Sequence, residues 1–306
     1  MIGISVFTAT YNRGHLLQNL YNSLLKQTYE NFEWVVVDDG SEDDTESKVA
    51  EFIQDNKIQI KYVKKPNGGK HSAWNLGVKS ACGELMFGCD SDDTLKPNAL
   101  ELTWNYWSTV RGDKTYAGVI GLRGGVNDEV LHGKRNSTPP KQIKWLEEQE
   151  YVDATIFEYR YKMKINGDRA EAIRRDVWQK FPFPVYEGEN FMSESVLFDR
   201  LGKAGYKFRY FNTIIMTTNY LSDGLASNMI KNQRKSALST AYTINLHVSC
   251  TELPLSERMR SACNYYRYGA CKKTLRKLFL ESNNKFFAVI AIPIGVLLKR
   301  RDDKRF

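Results

Sequence analysis

The five cysteines, at positions 82, 89, 250, 263 and 271, include no pair at a metal-ligating spacing, so a zinc ribbon or finger is excluded. Their odd number, and a Met1 that runs straight into a strand-like segment with no secretory leader, point to reduced thiols in a cytosolic protein. No apolar run reaches the about twenty residues a membrane-crossing helix needs; the run 286–298 stops at thirteen. No G-x-G-x-x-G follows the first strand-like segment and no G-x-x-x-x-G-K-[ST] occurs, which sets aside a dinucleotide fingerprint and a P-loop. Internal repeats and low-complexity stretches are missing too. What remains is globular material of 306 residues, 42% hydrophobic and 26% charged, enough for one large domain or one and a half.

Net charge is scarce in the body and dense in the tail. From residue 271 on there are ten Lys or Arg against three Asp or Glu, a net of +7 out of +8 for the whole chain. The first 270 residues are nearly neutral, which argues against a nucleic-acid-binding body.

Strand-like and helix-like segments alternate over the first ninety residues. Residues 2–8 are β-rich and apolar, and 15–27 carry Leu16, Leu17, Leu20, Leu24 and Leu25 at helical spacing. Residues 32–37 and 58–63 read as further strands, and helices are predicted from about 45 to 55 and from 71 to 81. A fourth strand precedes Cys89. This β-α-β-α-β-α-β order predicts an α/β fold with a parallel sheet and right-handed crossovers. The loops after strands one, two and four then share the edge at which open α/β sheets bind ligands.

The fourth loop is Cys89-Asp90-Ser91-Asp92-Asp93. Three carboxylates crowded in one turn need a cation, hydrogen bonds or water to compensate them. The spacing Asp90-x-Asp92 suits a hard divalent ion that shares its oxygen ligands with phosphates. The competing reading is that Asp93 or Thr94 caps the next helix, with residues 94–98 as its start, while the other acids are solvated.

Four segments occur in order: Ser5-Val6-Phe7-Thr8-Ala9-Thr10-Tyr11-Asn12-Arg13, Val35-Val36-Val37-Asp38-Asp39-Gly40-Ser41, Asn67-Gly68-Gly69-Lys70-His71-Ser72-Ala73-Trp74-Asn75-Leu76-Gly77, and Asp90-Ser91-Asp92-Asp93. In order and spacing this set resembles family 2 glycosyltransferases of the GT-A fold, over roughly residues 1–225. The resemblance implies a Rossmann-like, mixed but mainly parallel sheet flanked by helices, with a C-terminal helical extension. It implies a glycosyltransferase domain over 1–228, with a nucleotide-sugar half (1–115) and an acceptor half (116–228), followed by the extension 229–306. It also implies a nucleotide-diphosphate sugar as donor, UDP-sugar favoured, with Mn²⁺ or Mg²⁺ bridging the diphosphate. Carried over by motif, Thr8 and Tyr11 would hold the base and ribose, and Asp39 would accept a hydrogen bond from the base. Asn67 and Lys70 would line the nucleotide side, Asp90 and Ser91 would face ribose or sugar, and Asp92 would ligate the metal. The competing reading of Asp38 and Asp39 is a turn former before Gly40, and His71 is read as a helix-start residue.

Past residue 115 the pattern loosens. Residues 117–122 and 213–218 read as strands, 123–134 as a hairpin or loop, and 196–204 as a helix. The family has an acid just before a helix with an Arg about six residues on, and Glu194 stands six before Arg200. The resemblance makes Glu194 the catalytic base; Glu187 and Glu189 are neighbours that can be confused with it, and an acid near a helix N-terminus also has a purely structural reading. The implied chemistry is a single displacement with inversion. The loop 220–228 is expected near donor or acceptor, and the His with which relatives add a metal or phosphate contact is missing there.

From about Gln233 the chain reads as helix. The run 286–298, flanked by Lys285 and Lys299-Arg300-Arg301, predicts an interfacial anchor on an anionic leaflet, broken at Pro293. A chain cut after Cys271 is then expected to stay folded, while the competing reading is a helix packed on the body or on another subunit. Taken together, the sequence predicts an inverting glycosyltransferase of surface-polysaccharide synthesis, peripheral on the cytoplasmic face of a bacterial membrane. Its acceptor would be a glycan or lipid-linked hydroxyl, no nucleic acid is involved, and an oligomer is compatible. The second reading is a catalytically silent nucleotide-sugar-binding or scaffold subunit of the same fold. A nucleotidyltransferase lacks its expected Gly-rich N-terminal loop.

Overall fold

The computed structural model describes residues 2–127, 129–131, 140–218 and 229–305. They form two compact units, a sheet unit within 2–67, 73–182 and 204–218 and a helical unit within 68–72, 183–203 and 229–305.

The sheet unit carries β1 (Ile4–Thr10), β2 (Phe32–Asp38), β3 (Gln59–Lys64), β4 (Leu85–Gly88), β5 (Thr94–Leu95), β6 (Tyr116–Gly124), β7 (Tyr151–Thr155), β8 (Arg169–Arg174) and β9 (Lys207–Thr217). Its helices are α1 (Gly14–Leu24), α2 (Thr45–Asp55), α3 (Lys70–Ser80, from Ala73 on in this unit), α4 (Ala99–Ser108), α5 (Pro140–Glu147) and the single turn α6 (Arg175–Trp178). The strands pair in the order β3-β2-β1-β4-β8-β6-β9-β5, with β7 on β9. β3, β2, β1 and β4 run parallel, as the alternation predicts. β8 enters antiparallel between β4 and β6, and β6 returns parallel to β9, so the sheet is mixed.

Both faces of β1, β2 and β4 are covered, which is why they read as largely apolar runs, while the edge strand β3 alternates exposed polar residues with half-buried apolar ones. Ile4, Val6, Trp34 and Val36 face α1, α2 and α4 in one core with Leu17, Leu20, Phe52 and Trp107. The alternate residue Phe7 meets Trp74 of α3 at 4.0 Å between ring centroids, and Trp74 stacks on Trp178 at 4.2 Å. A Cβ at Gly77 would lie 2.1 Å from the Phe7 ring. Trp74 and Gly77 of the third motif therefore hold α3 against β1.

Two boundaries differ from the sequence reading. Residues 94–95 are a strand on β9, and the helix starts at Ala99; Asp93 caps nothing because it is engaged elsewhere, as described below. β9 begins at Lys207, six residues before the predicted strand. Its first half alternates buried Phe208 and Tyr210 with outward Lys207 and Arg209, and the two cations hide the period-2 pattern.

The helical unit holds α7 (Ser195–Lys203), α8 (Met229–Lys235), α9 (Ala237–Val248), α10 (Leu255–Gly269), α11 (Leu275–Glu281) and α12 (Lys285–Asp303). Phe287, Ala288 and Ala291 of α12 share a core with Cys263, Tyr265 and Tyr266 of α10 and Leu278 of α11. Asp302 accepts two bonds from one edge of the Arg267 guanidinium, from Nε at 2.6 Å and Nη2 at 3.0 Å. These contacts correct two expectations. The tail packs on α10 and completes its core, so a chain cut after Cys271 is expected to lose that core. Pro293 does not end the helix, which runs on to Asp303: the carbonyl four residues before it belongs to Val289, 66% exposed, where water can take the bond that proline leaves unmade.

Candidate active site

The loops after β1 and β2 lock each other. Asn12, at φ 53°, accepts from the Glu42 N–H at 2.8 Å, and its own N–H donates to Ser41 Oγ at 2.8 Å. The Gly14 N–H donates to Asp43 Oδ2 at 3.1 Å. Asp38 Oδ1 accepts the Ser41 N–H at 2.7 Å and Oδ2 accepts the Tyr62 hydroxyl at 2.6 Å, so Asp38 builds the turn. Gly40, at φ 87°, lets the backbone pass Asn67, whose nitrogen would sit 2.9 Å from an added Cβ. Asn67 itself is exposed beside that turn.

What these loops present is Tyr11, 47% exposed, and Asp39. The buried Asp39 carboxylate lies 2.5 Å from Lys65 Nζ. Thr8 is placed differently from its expected role. Its hydroxyl is fully buried, donates to Cys89 O at 2.9 Å and accepts from the Trp34 indole at 3.0 Å. Thr8 thus ties the ends of β1, β2 and β4 together, and its side chain supports the edge.

The fourth loop is a turn in which the Asp93 N–H donates to Asp90 O at 3.0 Å. Ser91 is buried within it and Asp90 half-buried. Asp92 pairs with Arg13 of the first loop at 3.1 Å. Asp93 is buried and pairs with Arg123 at the end of β6, at 3.0 Å. Burial pushes the Asp93 carboxyl up to about 7, Arg123 opposing this and the Asp90 and Asp92 charges adding to it. The three acids therefore play three parts: Asp93 is structural, Asp90 closes the turn, and Asp92 stands beside a cation.

In the helical unit, Gly69 at φ 88° runs against Asn190, whose carbonyl oxygen would be 2.0 Å from a Cβ there. Lys70 follows, and its Nζ lies 2.8 Å from Glu194 Oε1. Glu194 immediately precedes α7, with its side chain 48% exposed. Arg200 is held by Tyr242 of α9, through the hydroxyl and with the ring centroid 5.5 Å from the guanidinium carbon. Glu189 is separated from Glu194 in kind. It is 4% exposed, and its two oxygens accept the N–H groups of Leu238 and Ser239 at 2.9 and 2.7 Å. It caps α9 from a distance in sequence, using a carboxylate where the helix dipole favours one. Glu189→Ala is expected to lower stability by about 2–4 kcal/mol, because two charge-assisted bonds are lost, read as a drop in chemical-denaturation midpoint; Glu194→Gln should leave that midpoint unchanged.

The Glycosyl transferase family 2 profile matches residues 5–209, a span that holds every loop just described. The chain belongs to glycosyl transferase family 2. It is 40% identical over 99 residues to glycosyltransferase GlyG of Streptococcus pneumoniae serotype 4, covering 32% of this chain and 33% of that protein. The matched part spans a third or less of the length of the curated relatives first in similarity. In fold, the chain is similar to Staphylococcus aureus TarS 1–349, solved with UDP-GlcNAc, at TM-score 0.59 and 17% identity over 99% of this chain and 92% of that one. The mannosyltransferase PcManGT of Pyrobaculum calidifontis, solved with GDP-Man and Mn²⁺, superposes at TM-score 0.57 and 15% identity, covering 98% and 87%. These neighbours establish the GT-A fold for this glycosyltransferase.

Whether the acidic turn suits a divalent ion is answered by its donors. Among the described residues no three His, Cys, Asp or Glu side chains gather into a cage. The turn does offer carboxylate oxygen, with Asp92 partly accessible at 17%. One carboxylate plus phosphate oxygens and water is the donor set a hard Mg²⁺- or Mn²⁺-like ion takes. The chemistry of the turn is compatible with such an ion, and Asp92, now paired with Arg13, is the carboxylate that would be available to it. The loop 220–228, expected near donor or acceptor, lies outside the described residues. Arg13, Lys65 and Arg123 were given no role from the sequence, and Glu189 stood there only as a neighbour confusable with Glu194. Arg13 had a signal, standing inside a motif, while the other three act across 26 to 50 positions.

Proposed function

We propose that this family 2 member is an inverting glycosyltransferase. It moves a sugar from a nucleotide-diphosphate sugar, UDP-sugar favoured, to a hydroxyl of a glycan or lipid-linked acceptor in surface-polysaccharide synthesis. The observation that carries this reading is the set Tyr11, Asp39 and Asp92 on neighbouring loops at the C-terminal edge of β1, β2 and β4. A pyrimidine base needs a surface to stack on and an acceptor for its N–H, and Tyr11 with Asp39 supplies both chemistries. Asn67 and Lys70 are assigned to the nucleotide side, Lys70 as a cation for phosphate, and Asp90 with Ser91 to ribose or sugar. A divalent ion on Asp92, when bound, supplies charge neutralisation for the departing diphosphate.

Glu194 is assigned as the base. It takes the proton of the acceptor hydroxyl as that oxygen bonds to C1 and the C1–O bond to the diphosphate breaks, the electron pair leaving with the diphosphate. One displacement inverts the anomeric centre, and no carboxylate nucleophile is called for. The domain division at 228–229, the cytoplasmic-face location and a peripheral membrane contact through 272–306 belong to the same reading.

Asp92→Ala is expected to weaken donor binding in the presence of Mn²⁺ by roughly 10- to 100-fold, the scale of a lost charge-assisted contact, measured by calorimetry. Unchanged Mn²⁺-dependent affinity would remove Asp92 from the metal role. The reading as a whole is tested by thermal stabilisation across a panel of nucleotide sugars, with and without Mn²⁺. A UDP-sugar should raise the melting temperature in a Mn²⁺-dependent way. Stabilisation by no nucleotide sugar contradicts the proposal, and stabilisation without any turnover selects the silent-subunit alternative.

A further inference from the structure

We infer that the helical unit carries a pocket for one neutral sugar ring, a unit of the glycan acceptor next to the one that reacts; this rests on the glycosyltransferase reading above. The cavity has a volume of about 190 Å³. That is below the several hundred Å³ of a pocket for a drug-sized ligand, and it suits one ring of a longer chain rather than a disaccharide.

Its polar wall comes from Ser193, Ser195, Gln233, Thr240, Thr243 and Ser261. Among the described residues that line it there is no Lys, Arg, Asp or Glu, so these offer a phosphate or carboxylate no counter-ion, which sets the pocket apart from a nucleotide site. Thr240 Oγ1 donates to Gln233 O at 3.0 Å and Thr243 Oγ1 to Ser239 O at 2.9 Å. With their protons committed, both hydroxyls have only acceptor capacity left to offer a ligand. Sugar hydroxyls donate readily to such atoms, whereas an aliphatic ligand would leave them unmatched. Phe191 and Ile244 supply an apolar side, the surface that the C–H face of a pyranose covers.

The wall is held in place by its own bonds. The Phe191 N–H donates to Ser236 Oγ at 3.1 Å, and Ser193 Oγ and Ser195 Oγ are 2.9 Å apart. His247 Nδ1 lies 2.9 Å from the buried carboxylate of Asp199.

Position ties the pocket to the chemistry. Ser193 and Ser195 flank Glu194, so one short segment carries both a wall of the pocket and the proposed base. Glu194 itself does not line the cavity. The ring held there is therefore a neighbour of the reacting one, and the pocket acts on acceptor choice.

The test is saturation-transfer NMR on the full chain with neutral methyl glycosides, and with glucose 6-phosphate and gluconate as charged counterparts. Neutral glycosides should bind in the millimolar range and outbind the charged pair. Ser261→Trp, from the half-buried edge on α10, should weaken binding at least tenfold with an unchanged melting temperature. Thr243→Val keeps the shape and removes an acceptor, and should weaken binding about three- to tenfold; it serves if the tryptophan variant does not fold. No binding of any neutral glycoside, equal or tighter binding of the charged pair, or unweakened binding in the folded variants overturns the proposal. Nucleotide-sugar titration of the same wild-type sample reports separately on the transferase reading: a chain that holds glycosides but no nucleotide sugar keeps the pocket and loses that reading.

Discussion

Glu194→Gln is expected to fold, to bind donor and to lose transfer by about 10²–10⁴-fold, the range for a missing general base. The substitution keeps the shape and removes the proton-accepting charge. It also replaces an ion pair with Lys70 by a neutral contact. That pair is half-exposed, and such pairs contribute about 0–1 kcal/mol, so a stability change is not the cause of the loss. The competing acids are separated by structure. Glu189 uses both oxygens to cap α9, and its removal should register in denaturation. Glu187 is exposed with no role assigned. Transfer at near wild-type rate in Glu194→Gln, with Glu187→Gln inactive, would move the base to Glu187.

The second large effect concerns α12. Along this helix two apolar faces run side by side. Phe287, Ala288, Ala291 and Gly295 are buried, while Phe286, Val289, Ile290, Ile294 and Leu297 are 43 to 71% exposed. An exposed apolar stripe of this length marks an interaction surface. Lys285 stands at one end and Lys299, Arg300, Arg301, Lys304 and Arg305 at the other, which favours an anionic lipid surface. No helix among the described residues is long and apolar enough to cross a membrane.

Two variants then behave differently. Cutting the chain after Cys271 uncovers Tyr266 and Cys263 and leaves Arg267 without Asp302. Removing the buried side chains of Leu278 and Phe287 alone costs about 3–6 kcal/mol, a large part of a domain's stability, so the truncated chain should aggregate or unfold. The triple variant Phe286→Ser, Val289→Ser, Leu297→Ser touches only the outer face and should fold. It should lose anionic-vesicle binding by roughly 10²- to 10⁴-fold, since each of the three exposed side chains would contribute about 1–2 kcal/mol when buried in lipid. Co-sedimentation at low and high salt reads this, with partial release of the full-length chain at high salt. A full-length chain that stays in the supernatant at low salt contradicts the membrane contact, and a truncated chain that stays folded contradicts the packing.

The first half of the fold was legible because its signals are local. Continuous apolar runs end in loops rich in Asp, Asn and Gly, and Asn12, Gly40 and Gly69 sit where φ must be positive. The second half was not. Strand β9 hides behind Lys207 and Arg209. Residues 286–298 read as one run because counting apolar residues ignores the 3.6-residue period that splits them into a buried and an exposed face. The candidate site was legible residue by residue and hidden in its pairings. Asp92, Asp39 and Glu194 each stand beside a cation, Arg13, Lys65 and Lys70, that approaches from 26 to 124 positions away. Sequence spacing carries no record of such approaches. Thr8 shows the converse: its motif position suggested contact with ligand, while its hydroxyl is spent on Cys89 and Trp34.

Transfer with inversion from a UDP-sugar can be followed in time-resolved proton NMR of the full chain with Mn²⁺, a panel of UDP-sugars and an oligosaccharide acceptor, run beside Glu194→Gln. One donor should be consumed, UDP should appear in step with a new glycosidic signal of inverted anomeric configuration, and Glu194→Gln should produce neither at a comparable rate. A product that retains the donor's configuration, or a donor that binds and is never consumed by the wild-type chain, would contradict transfer with inversion.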